Sequence, residues 1–266
     1  MFAQSVTRAV VALSILAGPV AAQGTLAAYS PAAAKFRLTS TQKTSQTMMG
    51  QSQEFETTSN QLLSLAVAKA GEALSLTMTL DSATASTTAP TPMPDLSEAI
   101  GLKFVGAMTL DGKINSSQVT DRTGAPSTSQ FAANMKSILP RLRIGAAKGG
   151  TWVDSITTTG KQGEADVTAE SVLNFTLEGD TVVAGTTAWK IVSISATKVT
   201  GKGNRMGTDY TIAGDVKGTT TSVVSTAGAF LGQFSDTDSN LTVNVESAGM
   251  SIPIVQHSTA KVERVP

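Results

Sequence analysis

Apolar and polar residues alternate one by one over long stretches of this chain, and this period of two restricts the fold strongly. In 73–81, the apolar residues Leu74, Leu76, Met78 and Leu80 are separated by Ser or Thr. The alternation recurs at Leu102, Phe104, Met108 and Leu110, and again at Leu241, Val243 and Val245. Successive side chains of a β-strand point to opposite faces, so the pattern predicts strands with one buried and one solvated face. The sequence therefore predicts a mainly antiparallel all-β fold.

Turn residues separate these patterns at intervals. Asp111-Gly112, between two strand patterns, is the best candidate for a tight hairpin. Further turns are predicted at Glu178-Gly179-Asp180, Lys217-Gly218 and Ser247-Ala248-Gly249. This spacing is typical of short strands joined by hairpins.

The chain also contains a weak internal repeat. Residues 101–119 align without gaps on 207–225, with Phe104 matched to Tyr210 and Gly112 matched to Gly218. We interpret this as two related five-strand units that form a curved sheet or open barrel, with extra strands at the C-terminus. Chance similarity is the alternative, because a chain rich in Ser, Thr and Gly matches itself easily.

One segment has the spacing of a helix rather than of a strand. In 127–143, apolar residues recur three or four positions apart at Phe131, Met135, Ile138 and Leu142. Pro140 is expected to end or kink this helix. The predicted organisation is therefore a first β unit over 35–126, a helix and linker over 127–150, and a second β unit over 151–266.

The first 22 residues resemble a secretory signal. Arg8 precedes a short apolar run, and small residues follow it up to Ala22, where we predict cleavage before Gln23. A transmembrane anchor is the alternative, but the run is much shorter than the ~20 residues that span a bilayer. We expect an exported protein, periplasmic or extracellular, with a flexible segment over 23–34 ahead of the first unit.

The residue inventory excludes several classes of function. The chain of 266 residues has no Cys, one His, and 20 basic against 20 acidic residues. Thiol chemistry and Cys-ligated metals are therefore excluded, and the zero net charge argues against a nucleic-acid binder. We expect no catalytic residues, no cofactor, no metal and no transmembrane anchor.

Two polar features have alternative interpretations. His257 lies in a strand pattern where it would face solvent, and this favours a surface residue over a catalytic base. Residues 236–240 carry Asp236, Asp238 and Asn240 at alternate positions, as calcium loops do, but the later Gly and Glu of an EF-hand are missing. A hairpin turn is the favoured interpretation of this run, and a weak cation site is the alternative.

The middle of the chain carries a family resemblance. Ile138-Leu139-Pro140, followed by Gly149-Gly150-Thr151-Trp152, resembles the "LP…GxxW" signature of an uncharacterised family of exported bacterial β-rich proteins. In that family the motif joins two β-rich halves, and no catalytic residues come with it. The overall layout also resembles the half-barrels of lipoprotein-localisation and lipid-carrier proteins, in which a curved sheet holds acyl chains.

These observations predict a non-catalytic carrier or binding module for a lipid-like or apolar ligand in the bacterial envelope. The alternative is a structural or interaction protein that docks a protein partner, not yet specified, through strand edges or Ser/Thr-rich faces. The candidate ligand-binding residues share an apolar side chain on the predicted helix or on the buried sheet face: Phe131, Met135, Ile138, Leu76, Met78, Phe104 and Met108.

Overall fold

The protein folds as one antiparallel β-sheet. The computed structural model describes residues 24–265, without 49, 91–95, 121–130, 132–134, 163 and 206. The predicted signal, 1–22, lies outside the described residues. The eleven strands of the described residues are β1 Ala32–Met48, β2 Gln51–Ala70, β3 Ala73–Thr87, β4 Lys103–Met108, β5 Ile114–Thr120, β6 Thr151–Gln162, β7 Ala165–Val183, β8 Thr186–Arg205, β9 Thr208–Ser225, β10 Phe230–Val245 and β11 Met250–Val265.

The strand order places both ends of the described chain in the middle of the sheet. The order is β5-β4-β3-β2-β1-β11-β10-β9-β8-β7-β6, and every neighbouring pair is antiparallel. From β1 the chain proceeds by hairpins to one edge, crosses to the other edge, and returns by hairpins until β11 pairs with β1. The β5–β6 connection is therefore the one that has to link opposite edges.

The sheet is curled into a half-barrel. Eleven strands at about 4.8 Å spacing would span roughly 48 Å if flat. Arg141 nevertheless contacts both Asp111, in the turn before β5, and Asp154, in β6, at 2.9 and 3.4 Å. One side chain can reach both carboxylates only because the two edges approach each other.

The hydrophobic core occupies one end of the curl. Phe36, Leu63, Met78, Ile191 and Val224 come from five strands and are almost fully buried on the same face. We call this the inner face, and the side chains that alternate with it form the outer face. β2 and β8 each have 20 residues, about 65 Å of extended chain, so the strands continue far beyond this core.

The core is filled by two segments that are not strands. Leu26 and Tyr29 precede β1, and Ile138, Leu139 and Leu142 belong to the linker between β5 and β6; all five are buried. The part of 23–34 that precedes β1, predicted to be flexible, is thus packed from Leu26 onward into the core. Burying apolar side chains of both segments stabilises the curl against opening.

Two of the four predicted turns are confirmed. Asp111-Gly112 forms the turn between β4 and β5, and Ser247-Ala248-Gly249 lies at the β10–β11 turn. The other two predictions are wrong. Lys217-Gly218 lies inside β9, and Glu178-Gly179 forms a bulge inside β7. This position in β9 favours glycine because a Cβ there would lie 2.5 Å from the Thr237 side chain of β10.

The predicted repeat and helix are not confirmed. Gly112 lies in a turn, whereas its aligned partner Gly218 lies within a single strand, so the gapless alignment does not superpose equivalent elements. β1 to β5 form the first half of the sheet, and β6 to β11 follow the linker, one strand more than a second five-strand unit would have. Of the predicted helix over 127–143, residues 127–130 and 132–134 lie outside the described residues. Phe131, Met135 and Lys136 are helical, and from 137 to 150 the chain has no helix.

Candidate ligand-binding face

The seven residues predicted to bind a ligand lie together in the core. Leu76, Met78, Phe104 and Met108 extend from β3 and β4 and are at most 1% exposed. Phe131, Met135 and Ile138 are buried in the same cluster. A gap of about 10 Å³ lies between this linker and the sheet, lined among others by Tyr29, Phe36 and Leu139. This volume holds about one water molecule, so these residues pack against each other at this end.

The inner face beyond the core has a different composition. We call this part the distal half and define it on five adjacent strands: 51–59 of β2, 40–48 of β1, 250–260 of β11, 235–245 of β10 and 208–218 of β9. The charged residues of these ranges all alternate with the inner positions and therefore face outward: Lys43, Glu54, Glu56, Asp209, Asp215, Lys217, Asp236 and Asp238. Over these ranges, the inner face carries no charged side chain.

An apolar patch covers part of the distal half. Leu241 lies opposite Ile254, and Val243 lies opposite both Ile252 and Ile212, so the five side chains are neighbours on three strands. All five are half-buried, and within the described ranges none belongs to the core cluster. A cluster of partly exposed apolar side chains at this position is a candidate surface for an apolar ligand.

A polar band lies between this apolar patch and the core. Thr44, Gln256 and Ser239 are directly opposite one another on β1, β11 and β10. Thr44 Oγ1 accepts hydrogen bonds from Gln256 Nε2 at 3.5 Å and from Gln42 Nε2 at 3.3 Å. The Ser239 hydroxyl is buried and has no hydrogen-bond partner within the described part of the chain.

The sequence contained part of this site without locating it. The alternation at Leu241, Val243 and Val245 predicts a buried face, and so does the alternation of Ile252 and Ile254. Nothing in the local pattern predicts that β9, β10 and β11 are neighbours, or that their apolar side chains at this level are only half-buried among the described residues. The pairing register shows the first, and the burial of the side chains shows the second.

His257 and the acidic run lie on the outer face. His257 is exposed, as predicted, and its Nδ1 is 2.9 Å from Asp238 Oδ1 and 3.6 Å from Asp236 Oδ1. Residues 236–240 lie within β10 rather than in the predicted hairpin turn, since β10 continues to Val245. No group of three His, Asp or Glu side chains among the described residues is arranged to hold a metal ion.

A cleft of about 440 Å³ lies where the curl does not close. Its walls are the β5 edge with Ile114 and Ser116, the β6 edge with Ile156, and the linker with Leu139 and Arg141. In the described ranges neither edge strand has a second pairing partner, so each presents unpaired backbone N–H and C=O groups.

The "LP…GxxW" residues lie on one side of this cleft. Trp152 donates a hydrogen bond from Nε1 to the Arg141 carbonyl at 3.0 Å, and its ring stacks on Phe175 with the ring centroids 5.3 Å apart.

The fold and this face together define an all-β antiparallel half-barrel with a packed end and, over the ranges of the distal half, an uncharged inner face. No helix within the described ranges is both long and apolar enough to cross a membrane.

Comparisons with known proteins add no family. No family model matches the chain, and no curated protein matches it. Solved structures with some similarity include Pseudomonas aeruginosa OccK2 (OpdF), at 9% identity and TM-score 0.28, covering 88% of this chain and 98% of that one. A DUF1329 family protein from Desulfovibrio piger has 11% identity and TM-score 0.21, covering 86% and 83%. Scores this low establish neither family membership nor shared activity.

Proposed function

We propose that the protein is an exported, non-catalytic binding module that carries a lipid-like or apolar ligand on the inner face of its distal half. The observation that supports this proposal is the distribution of charge and apolar surface. The inner face of the distal half has no charged side chain. Within it lies the apolar patch, whose side chains are only half-buried: Ile212, Leu241, Val243, Ile252 and Ile254. An apolar ligand that covered this patch would remove its surface from water, which is favourable at about 25 cal/mol per Å².

The alternative function, docking of a protein partner, is favoured by one observation. The cleft between β5 and β6 has two strand edges with unpaired backbone groups, and an extended peptide can add to such an edge as a further strand. The two functions use different parts of the molecule, so one purification distinguishes them.

The test is native mass spectrometry of the protein purified from its own host under non-denaturing conditions. We expect a copurifying apolar small molecule with the wild-type protein. Ile254→Asn places an amide in the apolar patch and should reduce the ligand-bound fraction about tenfold, because the contact area of one large apolar side chain is lost. Val255→Asn is the matched control, since Val255 is the next residue, faces outward and is 52% exposed; its ligand-bound fraction should equal that of the wild type.

Two results would contradict the carrier function. One is a protein that is free of any apolar molecule but holds a stoichiometric protein partner, and this would support the alternative. The other is equal ligand loss in both variants, because binding would then not depend on which face is changed.

A further inference from the structure

The polar band of Thr44, Gln256 and Ser239 bears on which apolar ligands the proposed carrier prefers, because it adds hydrogen-bonding groups next to the apolar patch. Ser239 is 8% exposed, its hydroxyl has no hydrogen-bond partner within the described residues, and the register of β10 places it on the inner face. A buried hydroxyl without a partner costs roughly 1–3 kcal/mol, so native proteins rarely keep one unless water or a ligand satisfies it. Ser239 is thus a hydrogen-bonding group without an assigned partner.

On β9, Ser239 lies opposite the apolar Val216, whereas its neighbours towards β1 are polar and uncharged. Gln256 lies directly opposite Ser239 on β11, and Thr44 lies opposite Gln256 on β1 and is 4% exposed. Amides and hydroxyls can both donate and accept hydrogen bonds. The charged residues nearest in sequence, Lys43 and Asp238, face outward because they alternate with the inner positions.

The apolar patch begins at the next inner position of the same strands. Leu241 follows Ser239 on β10 by two residues, about 7 Å, and Ile254 precedes Gln256 on β11 by the same distance. From Ser239 to Val245, the inner face continues for about 20 Å with apolar side chains on β10. A ligand with a polar head at the polar band and an apolar chain along the apolar patch would match the order of these two surfaces.

We infer that Ser239, Gln256 and Thr44 form a head-group site for an uncharged single-chain amphiphile, such as a monoacylglycerol, whose chain lies on the apolar patch. This inference depends on the carrier function proposed above. A hydroxyl or ester head would satisfy Ser239 by hydrogen bonding. A carboxylate or phosphate head would be desolvated here without a cation to compensate it, which is unfavourable.

The experiment compares ligands of equal chain length. Monomyristoylglycerol and myristate, each below its aggregation concentration at pH 8, compete with the apolar dye N-phenyl-1-naphthylamine for the full-length protein. We expect the dye to bind, and the monoglyceride to displace it at a concentration at least about tenfold lower than myristate does.

The variants locate the head group. Ser239→Val should weaken monomyristoylglycerol binding roughly fivefold, as expected for one hydrogen bond, and should leave dye binding unchanged. Ser239→Ala, which adds no bulk, should show the same loss if Ser239→Val proves poorly folded by circular dichroism. Ser251→Val is the matched control, because Ser251 is exposed on the outer face of β11; it should bind as the wild type does.

The outcomes separate the two proposals. Dye binding with equal displacement by myristate and monoglyceride, or with no effect of either Ser239 variant, would overturn the head-group site while leaving the carrier function standing. A well-folded protein that binds neither the dye nor either lipid would overturn the carrier function itself, and the head-group site with it.

Discussion

At the scale of single residues, Tyr29 illustrates how a buried polar group is retained in the core. The ring is 3% exposed, and its hydroxyl donates a hydrogen bond to the Pro140 carbonyl at 2.8 Å. Burial raises the pKa of the Tyr29 phenol well above its usual value of 10.0, because the charged phenolate would be desolvated; the nearby Arg141 opposes this shift and Asp111 adds to it.

The raised pKa predicts a loss of stability in alkaline solution. The folded protein holds the phenol proton more tightly than the unfolded chain does, so this contribution to stability is complete below pH 10 and is lost as the pH rises above it. Tyr29→Phe should cost about 1 kcal/mol at pH 8 for the lost hydrogen bond, and should lose less stability than the wild type between pH 9.5 and 11. Urea unfolding of both proteins at each pH measures the difference. Parallel pH curves would contradict the role of Tyr29.

The same residue also shows why local sequence could not locate the core completely. Tyr29 and Leu26 precede β1 in a stretch with no clear period, and no pattern there predicts burial. They are buried because the curl leaves a space that the segment before β1 and the linker fill together, which is a property of the assembled sheet.

At the scale of elements, the β4–β5 turn is the best example of a prediction that local chemistry could support. Asp111-Gly112 has the composition of a tight turn, and Gly112 has a φ of +93°, which glycine adopts without strain. The turn is also in close contact with other segments: a Cβ on Gly112 would lie 2.7 Å from the Tyr29 ring and 3.1 Å from the Pro140 carbonyl oxygen.

Two alanine substitutions separate backbone strain from crowding at this turn. Gly185, in the β7–β8 turn, has a φ of +78° and no atom within 4 Å of an added Cβ. Gly185→Ala should cost about 1 kcal/mol for the left-handed backbone alone. Gly112→Ala should lose a further 1–3 kcal/mol, roughly, because the added methyl group overpacks the Tyr29 contact. Urea denaturation measures the free energy of unfolding of both variants. Equal losses would show that the Tyr29 ring accommodates the added methyl group without a cost in stability.

The failed element predictions have a common cause. Lys217-Gly218 and Glu178-Gly179 have the composition of turns, but both lie in long strands. In curled sheets, glycine is also needed where a neighbouring backbone comes close and where a bulge bends a strand, as at Gly218 and Gly179. Composition cannot distinguish a glycine in a turn from a glycine that is crowded by another segment, because the crowding residues are not its neighbours in the sequence.

At the scale of the whole molecule, Arg141 links the two edges of the half-barrel. Its guanidinium donates a hydrogen bond from Nη2 to Asp111 at 2.9 Å, and its Nε lies 3.4 Å from Asp154. All three side chains are half-buried. The linker that carries Arg141 thus connects the β4–β5 hairpin to β6, although these elements lie at opposite ends of the strand order.

Removal of the Arg141 charge should destabilise the folded protein. Arg141→Met leaves two half-buried carboxylates without a cation and should lower the free energy of unfolding by about 2 kcal/mol. Lys161→Met is the control, because the Lys161–Asp166 pair at 3.0 Å is exposed and should contribute less than about 0.5 kcal/mol. Both values come from urea denaturation at pH 7. A similar small loss in both variants would mean that Arg141 does not stabilise the closed edges.

What the sequence alone determined is the class of fold, because alternation of period two is a local property of each strand. It also identified the β4–β5 and β10–β11 turns and the outward position of His257. The strand order, the meeting of both edges at Arg141 and the uncharged inner face of the distal half were decided by the tertiary structure. These features depend on which strands are neighbours and in what register, and that choice is made by contacts between segments far apart in the chain, such as Thr44 with Gln256.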